Sequence, residues 1–168
     1  MTPIFNATQS AGLAATAFAM VACVAAAKTP WRILAVFHAA LFLEVLLGLR
    51  HQIHALAGRG LMAEALYGER RPMQIALLAG LLVAGVLILW FAGRHKRLPA
   101  KVGILSSGML AALFVVETIS LHAIDAVLYR RIGPLMIIGF IWAALCTVTI
   151  LAALADRSAK DRRKRRRA

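Results

Sequence analysis

Cysteine is nearly absent from this chain. Cys23 and Cys146 are the only two among 168 residues, and no Cys-x-x-Cys pair occurs. That excludes a disulfide framework and a paired-cysteine metal site. Each thiol sits alone in an apolar run and reads as a small buried hydrophobe. Acidic residues are scarce as well, seven against 20 Lys and Arg. Walker, GxGxxG and serine-elbow patterns are missing, so nucleotide binding and acyl transfer of the usual kinds have no support. Also missing is the alternation of polar and apolar residues that marks a half-buried helix or strand.

What the chain has instead is apolar length. Hydrophobic residues make up 61% of it, well above the roughly 45–50% of a soluble domain, and mean hydropathy is +0.78. Runs of this kind define an all-α polytopic transmembrane bundle. Five spans are expected, at about 9–27, 33–57, 73–93, 102–129 and 135–155, within one domain of residues 1–156. The first lacks a preceding basic residue and so reads as a retained span, not a signal peptide. Pro72 stands at the start of the third span, where proline is tolerated. A basic tail, 157–168, follows the last span and is expected to be disordered.

Charge placement sets orientation. Lys28, Arg32, four cations in 94–101 and eight in the tail form one set of fourteen; Arg50, Arg59, Arg70, Arg71, Arg130 and Arg131 form the other. The positive-inside rule puts the larger set in the cytoplasm, amino terminus out and carboxyl terminus in, in a bacterial-type inner membrane. The tail then meets anionic lipid. The net charge of +13 argues little for nucleic acid, because no stacking aromatics or reading module accompany it.

Two stretches echo one another inside the second and fourth spans. Glu44 is followed by His51 and His54, and Glu117 by His122 and Asp125. The echo suggests a weak two-helix internal repeat. If both spans run outward, the copies lie parallel, with the glutamates deeper and the other four residues near the outer boundary. On a helical wheel Glu44, Gly48, His51 and Ala55 share a stripe, as do Glu117, Leu121 and Asp125. Imidazole and carboxylate three positions apart can chelate one ion. Glu44, His51, His54, Glu117, His122 and Asp125 are therefore the candidate ligands for a transition metal. The Glu-x-x-His spacing of di-iron bundles is absent. Haem b is the other redox cofactor, with His51 or His54 facing His122; His38 has no evident deep partner. A proton relay from Glu44 through His51 and His54 also fits.

An ordinary reading competes with these. The outer His and Asp residues can be wet helix ends, with Asp125 paired to Arg130 or Arg131. The two glutamates resist that account, since a charge at a span's centre costs about 2.5–3.5 kcal/mol. Ser106, Ser107 and Gly108 read as residues for close helix packing. The expectation is a membrane protein with a buried Glu/His/Asp site near the outer face, serving a redox role through metal or haem. A non-catalytic subunit or assembly helper, bound to a membrane partner or a second copy, and a proton-coupled carrier are the alternatives. Whether the chain is an enzyme stays open.

Overall fold

A computed structural model describes residues 6–48, 52, 70–119 and 122–165. Its helices are α1 (Ala7–Ala26), α2 (Thr29–Leu47), α3 (Arg70–Arg94), α4 (Leu98–Ile119), the short α5 (His122–Leu128) and α6 (Ile137–Arg165). A two-residue hairpin, β1 (Arg131–Ile132) and β2 (Leu135–Met136), precedes α6. Ala7–Ala26, Thr29–Leu47, Leu98–Glu117 and Ile137–Ala159 are each long and apolar enough to cross a membrane, and Leu78–Arg94 is a shorter apolar run. The architecture is all-helical and suited to a bilayer.

Local chemistry explains the boundaries. Asn6 caps α1 through a reciprocal pair with Gln9, whose N–H donates to Asn6 Oδ1 at 2.8 Å; this satisfies a helix-end donor that would otherwise lack a partner. Ala27, at φ 57°, closes α1, and Pro30 sits in the first turn of α2. Gly48 ends α2 at φ 61°, its N–H donating to the Glu44 carbonyl. A left-handed residue costs glycine nothing. α2 therefore ends at Leu47; of the rest of the expected span to residue 57, positions 49–51 and 53–57 lie outside the described residues. Gly133, at φ 64°, turns the hairpin. At the other end α6 continues into the basic segment as far as Arg165, although a disordered tail is the expectation from charge. Cations at a helix carboxyl end favour its dipole.

The helices alternate in direction. The α1–α2 turn, the α3–α4 turn and the late part of α6 meet at one end, joined through Lys28, Arg97 and Asp156. α1 is packed between α2 and α6, α4 between α6 and α3, and α2 touches α4 along a narrower seam. α2 and α4 run parallel, but each packs chiefly on a different neighbour. The echo in sequence is thus an echo of direction more than of packing.

What faces inward is not the most apolar part of each helix. α1 buries Gly12, Thr16, Ala19, Cys23 and Ala26, while Phe18, Val21 and Val24 point out. α2 buries Trp31, Leu34, His38, Leu41 and Val45, and α6 buries Ile138, Trp142, Cys146, Thr149, Ala153 and Asp156. These are 3–4 repeats, the seam of a left-handed bundle. Small residues let backbones approach, and large aliphatics are left for lipid. A Cβ on Gly103 would meet the Trp31 ring at 2.6 Å, and one on Gly108 would meet Ile88 Cγ2 at 2.6 Å. Ile88 is α3's anchor, so Gly108→Leu is expected to cost about 1–3 kcal/mol by lifting α3 from α4. Equilibrium unfolding in detergent measures it, and an unchanged transition would show that α3 is held elsewhere.

Candidate functional site

The polar residues of the interior fall into three levels, marked on α6 by Trp142, Thr149 and Asp156. Spacing of seven residues puts them on one stripe, about 10 Å apart along the axis. Each level joins α6 to a different set of helices.

The level furthest from the Lys28 end holds Glu117, 6% exposed on α4. Its Oε1 accepts a hydrogen bond from Trp142 Nε1 at 3.1 Å. The indole is fixed by stacking on Phe114, with centroids 5.2 Å apart and planes 9° apart. Gly12 lies against the ring at Cε3 and Cζ3, where a Cβ would meet it at 2.6 Å. Glu44 is half-buried in the last turn of α2. Two contacts give the register of the parallel pair: Trp31 lies against Gly103, and His38 against Ser107. Glu44 is 13 residues beyond Trp31, and Glu117 is 14 beyond Gly103. From His38 and Ser107 the counts are 6 and 10, so Glu117 stands between one and four residues further along than Glu44, about one turn at most.

The remaining expected ligands are not brought to this level by anything described. His51 and His54 lie outside the described residues, as do the side chains of His122 and Asp125, whose backbone belongs to α5. Among the described residues no three His, Cys, Asp or Glu side chains converge to hold a metal ion. The expected metal-binding set therefore lacks support. Glu117 is turned to Trp142 of α6. The thiols do not pair either. The Gly12–Trp142 and Lys28–Asp156 contacts set α1 and α6 in parallel register, which leaves Cys23 about two turns further along than Cys146. That separation exceeds the roughly 7 Å at which two Cα atoms can be bridged.

The middle level was not legible as a site. His38 is fully buried, and its Nε2 lies 3.2 Å from Ser107 Oγ. Ser107 Oγ is 3.5 Å from Thr149 Oγ1, which lies 2.8 Å from Ser106 Oγ and donates to the Leu145 carbonyl at 3.1 Å. His38 Nδ1 has no hydrogen-bond partner among the described residues. So His38 does have a deep partner, and the serines do more than allow close packing.

The level at the Lys28 end is an ion cluster on Asp156, itself 3% exposed. Oδ2 accepts from Lys28 Nζ at 2.6 Å and from Trp31 Nε1 at 2.9 Å; Oδ1 accepts from Arg97 Nη1 at 3.4 Å. Two cations face one carboxylate, and this end of the bundle keeps a positive excess. Nearby, Arg94 lies 3.6 Å over the Trp90 ring, an arrangement suited to a membrane boundary. The signal that could have found these levels was the seven-residue spacing Trp31–His38–Val45 and Trp142–Thr149–Asp156. No known protein family, curated protein or solved structure matches this chain.

Proposed function

We propose that the chain is a multi-pass protein of a bacterial-type inner membrane that takes up a proton or a cation from the outer side at Glu44 and Glu117. The topology is five spans, with the amino terminus outside and the basic end in the cytoplasm. Alternating helix direction supports it, because Lys28, Arg32, Arg94, Lys96, Arg97 and the residues after Asp156 then share one side, where anionic headgroups gather. The observation that carries the function is Glu117, an ionisable side chain almost wholly buried in a helix fit to span. Such residues are costly and mark ion or proton sites. Glu44, within about one turn of that depth, makes an acidic level beneath the segment that bears His51, His54, His122 and Asp125. A redox role through those four residues, with a metal or haem b, is the reading that the described geometry favours less.

Infrared difference spectra of the protein in nanodiscs test this. A protonated-carboxyl band that responds to pH or to added cation is expected, and Glu117→Gln should remove its larger part. Trp142→Phe keeps the ring stack and should shift the band while costing only about 1 kcal/mol of stability. A band that Glu117→Gln leaves unchanged would refute the assignment.

One observation favours a second reading, a non-catalytic subunit. α3 touches the bundle through a strip at Ile88 and Ala92, and turns Leu82, Val83, Val86, Leu87 and Leu89 outward. A subunit would co-purify with a larger complex and tolerate Glu44→Gln and Glu117→Gln at full activity of that complex.

A further inference from the structure

The outer acidic level makes no use of His38. We propose that His38 is a second protonation site, at the centre of the bundle, with Nδ1 as the base, and that it exchanges protons with the outer side only. The site rests on His38's own surroundings; the sidedness rests on the outer-site reading above.

The surroundings of Nδ1 assign the tautomer. Among the hydroxyls, Ser106 has the Val102 carbonyl as acceptor at 2.9 Å and Thr149 has the Leu145 carbonyl at 3.1 Å, with 2.8 Å between their oxygens. Nδ1 has no acceptor of its own, so the ring hydrogen belongs on Nε2, where Ser107 Oγ accepts it at 3.2 Å. Ser107 can in turn give its hydrogen toward Thr149 Oγ1, 3.5 Å away. The opposite tautomer would have Ser107 donate to Nε2 and leave Nδ1–H buried without an acceptor. A buried donor in that state costs about 1–3 kcal/mol. The Nδ1 lone pair is thus left bare, as a base buried in the core. Ser107, held from behind by Thr149, is the acceptor that keeps the ring oriented when the second nitrogen gains a proton.

Sidedness follows from the charges along each helix that packs around His38. α1 carries no charged side chain and one thiol, Cys23. α4 has none between Lys101 and Glu117, and α6 has only the Cys146 thiol before Asp156. On α2 itself the neighbours are Arg32 inward and Glu44 outward. Outward of His38, then, every charged group on these helices is a carboxyl, Glu44 and Glu117. Inward stand Lys28, Arg32, Arg97 and Lys101, with Arg157, Lys160 and four further cations at 162–165 on α6, against Asp156 and Asp161. Fixed cations raise the barrier to an entering proton, and carboxylates lower it. A proton reaches His38 from the acidic end and stops there.

Solid-state NMR of protein carrying nitrogen-isotope-labelled histidine tests the proposal, in vesicles sorted for one orientation. The His38 signals are those lost in His38→Gln. The expected spectrum at neutral pH has Nε2 protonated and Nδ1 bare. Acidifying the compartment that faces the Glu117 end should protonate Nδ1, and acidifying the other should leave it unchanged. Ser107→Ala, which keeps the imidazole, should mix the two tautomers. An Nδ1–H tautomer, a His38 silent to acid from both sides, or one that follows the cytoplasmic-end compartment would overturn the proposal. Glu117→Gln separates the two readings. If His38 still titrates from the outer end at the wild-type rate, the His38 site stands and the outer-site reading fails. If the carboxyl band responds to pH while His38 does not, the reverse holds.

Discussion

Asp156→Asn is expected to cost about 2–3 kcal/mol of folding stability, among the largest losses from any single polar change in this chain. The native carboxylate accepts from Lys28, Trp31 and Arg97 at once. An asparagine oxygen replaces only part of that, and its amide adds two donors where three already converge. Lys28 and Arg97 are then left side by side without a counter-charge. Removing one partner of a buried pair typically costs about 3–5 kcal/mol. The lower figure applies here because the Lys28 and Arg97 side chains are 20% and 54% exposed and can turn to water. Reversible unfolding in mixed detergent measures the loss, and a change below about 0.5 kcal/mol would mean that the cluster holds nothing together. Replacing Lys28 and Asp156 together, by Met and Leu, should recover much of the stability, since an apolar pair carries no desolvation cost.

Gly12→Leu is the second large effect. The first carbon of any side chain there would lie 2.6 Å from Trp142 Cε3 and 2.8 Å from Cζ3. The ring is held in place, because Phe114 is stacked on one face and Glu117 holds its N–H. Alanine recovers about 1 kcal/mol in helix propensity over glycine and should still be a net loss. Leucine adds three more carbons and is expected to cost about 3 kcal/mol, the upper end for overpacking. It should also pull Trp142 from Glu117, so indole fluorescence and the carboxyl band must move together. Gly80 supplies the control. A Cβ there meets nothing within 4 Å, and Gly80→Ala should be neutral or slightly stabilising. If Gly12→Leu behaves like Gly80→Ala, the α1–α6 seam is not as close as drawn.

Both predictions depend on which residues face inward, and here sequence reasoning was only partly adequate. Glu117 stood out because a carboxylate inside an apolar run is expensive wherever it lies. Glu44 stood out for the same reason, and parallel helices place it within about one turn of Glu117. His38 did not stand out. A lone histidine in an apolar run can face lipid, core or water, and the choice turns on a neighbour 69 positions away, Ser107. Asp156 looked like the edge of a solvated tail, yet it is buried under residues from two distant turns. The inward seam was written in small residues, Gly12, Thr16, Ala19 and Cys23, and not in hydrophobicity, because in a bilayer the outside is as apolar as the core.

The distinction is physical. Helix content, membrane-length runs and the charge bias all follow from short-range chemistry and the solvation of single residues, so they can be read off the chain. Which ring meets which glycine, and which donor meets which carboxylate, depends on rotation and register among helices far apart in sequence. Only packing settles those. It turned Glu117 toward Trp142, gave His38 a hydroxyl partner and made Asp156 the knot of the Lys28 end.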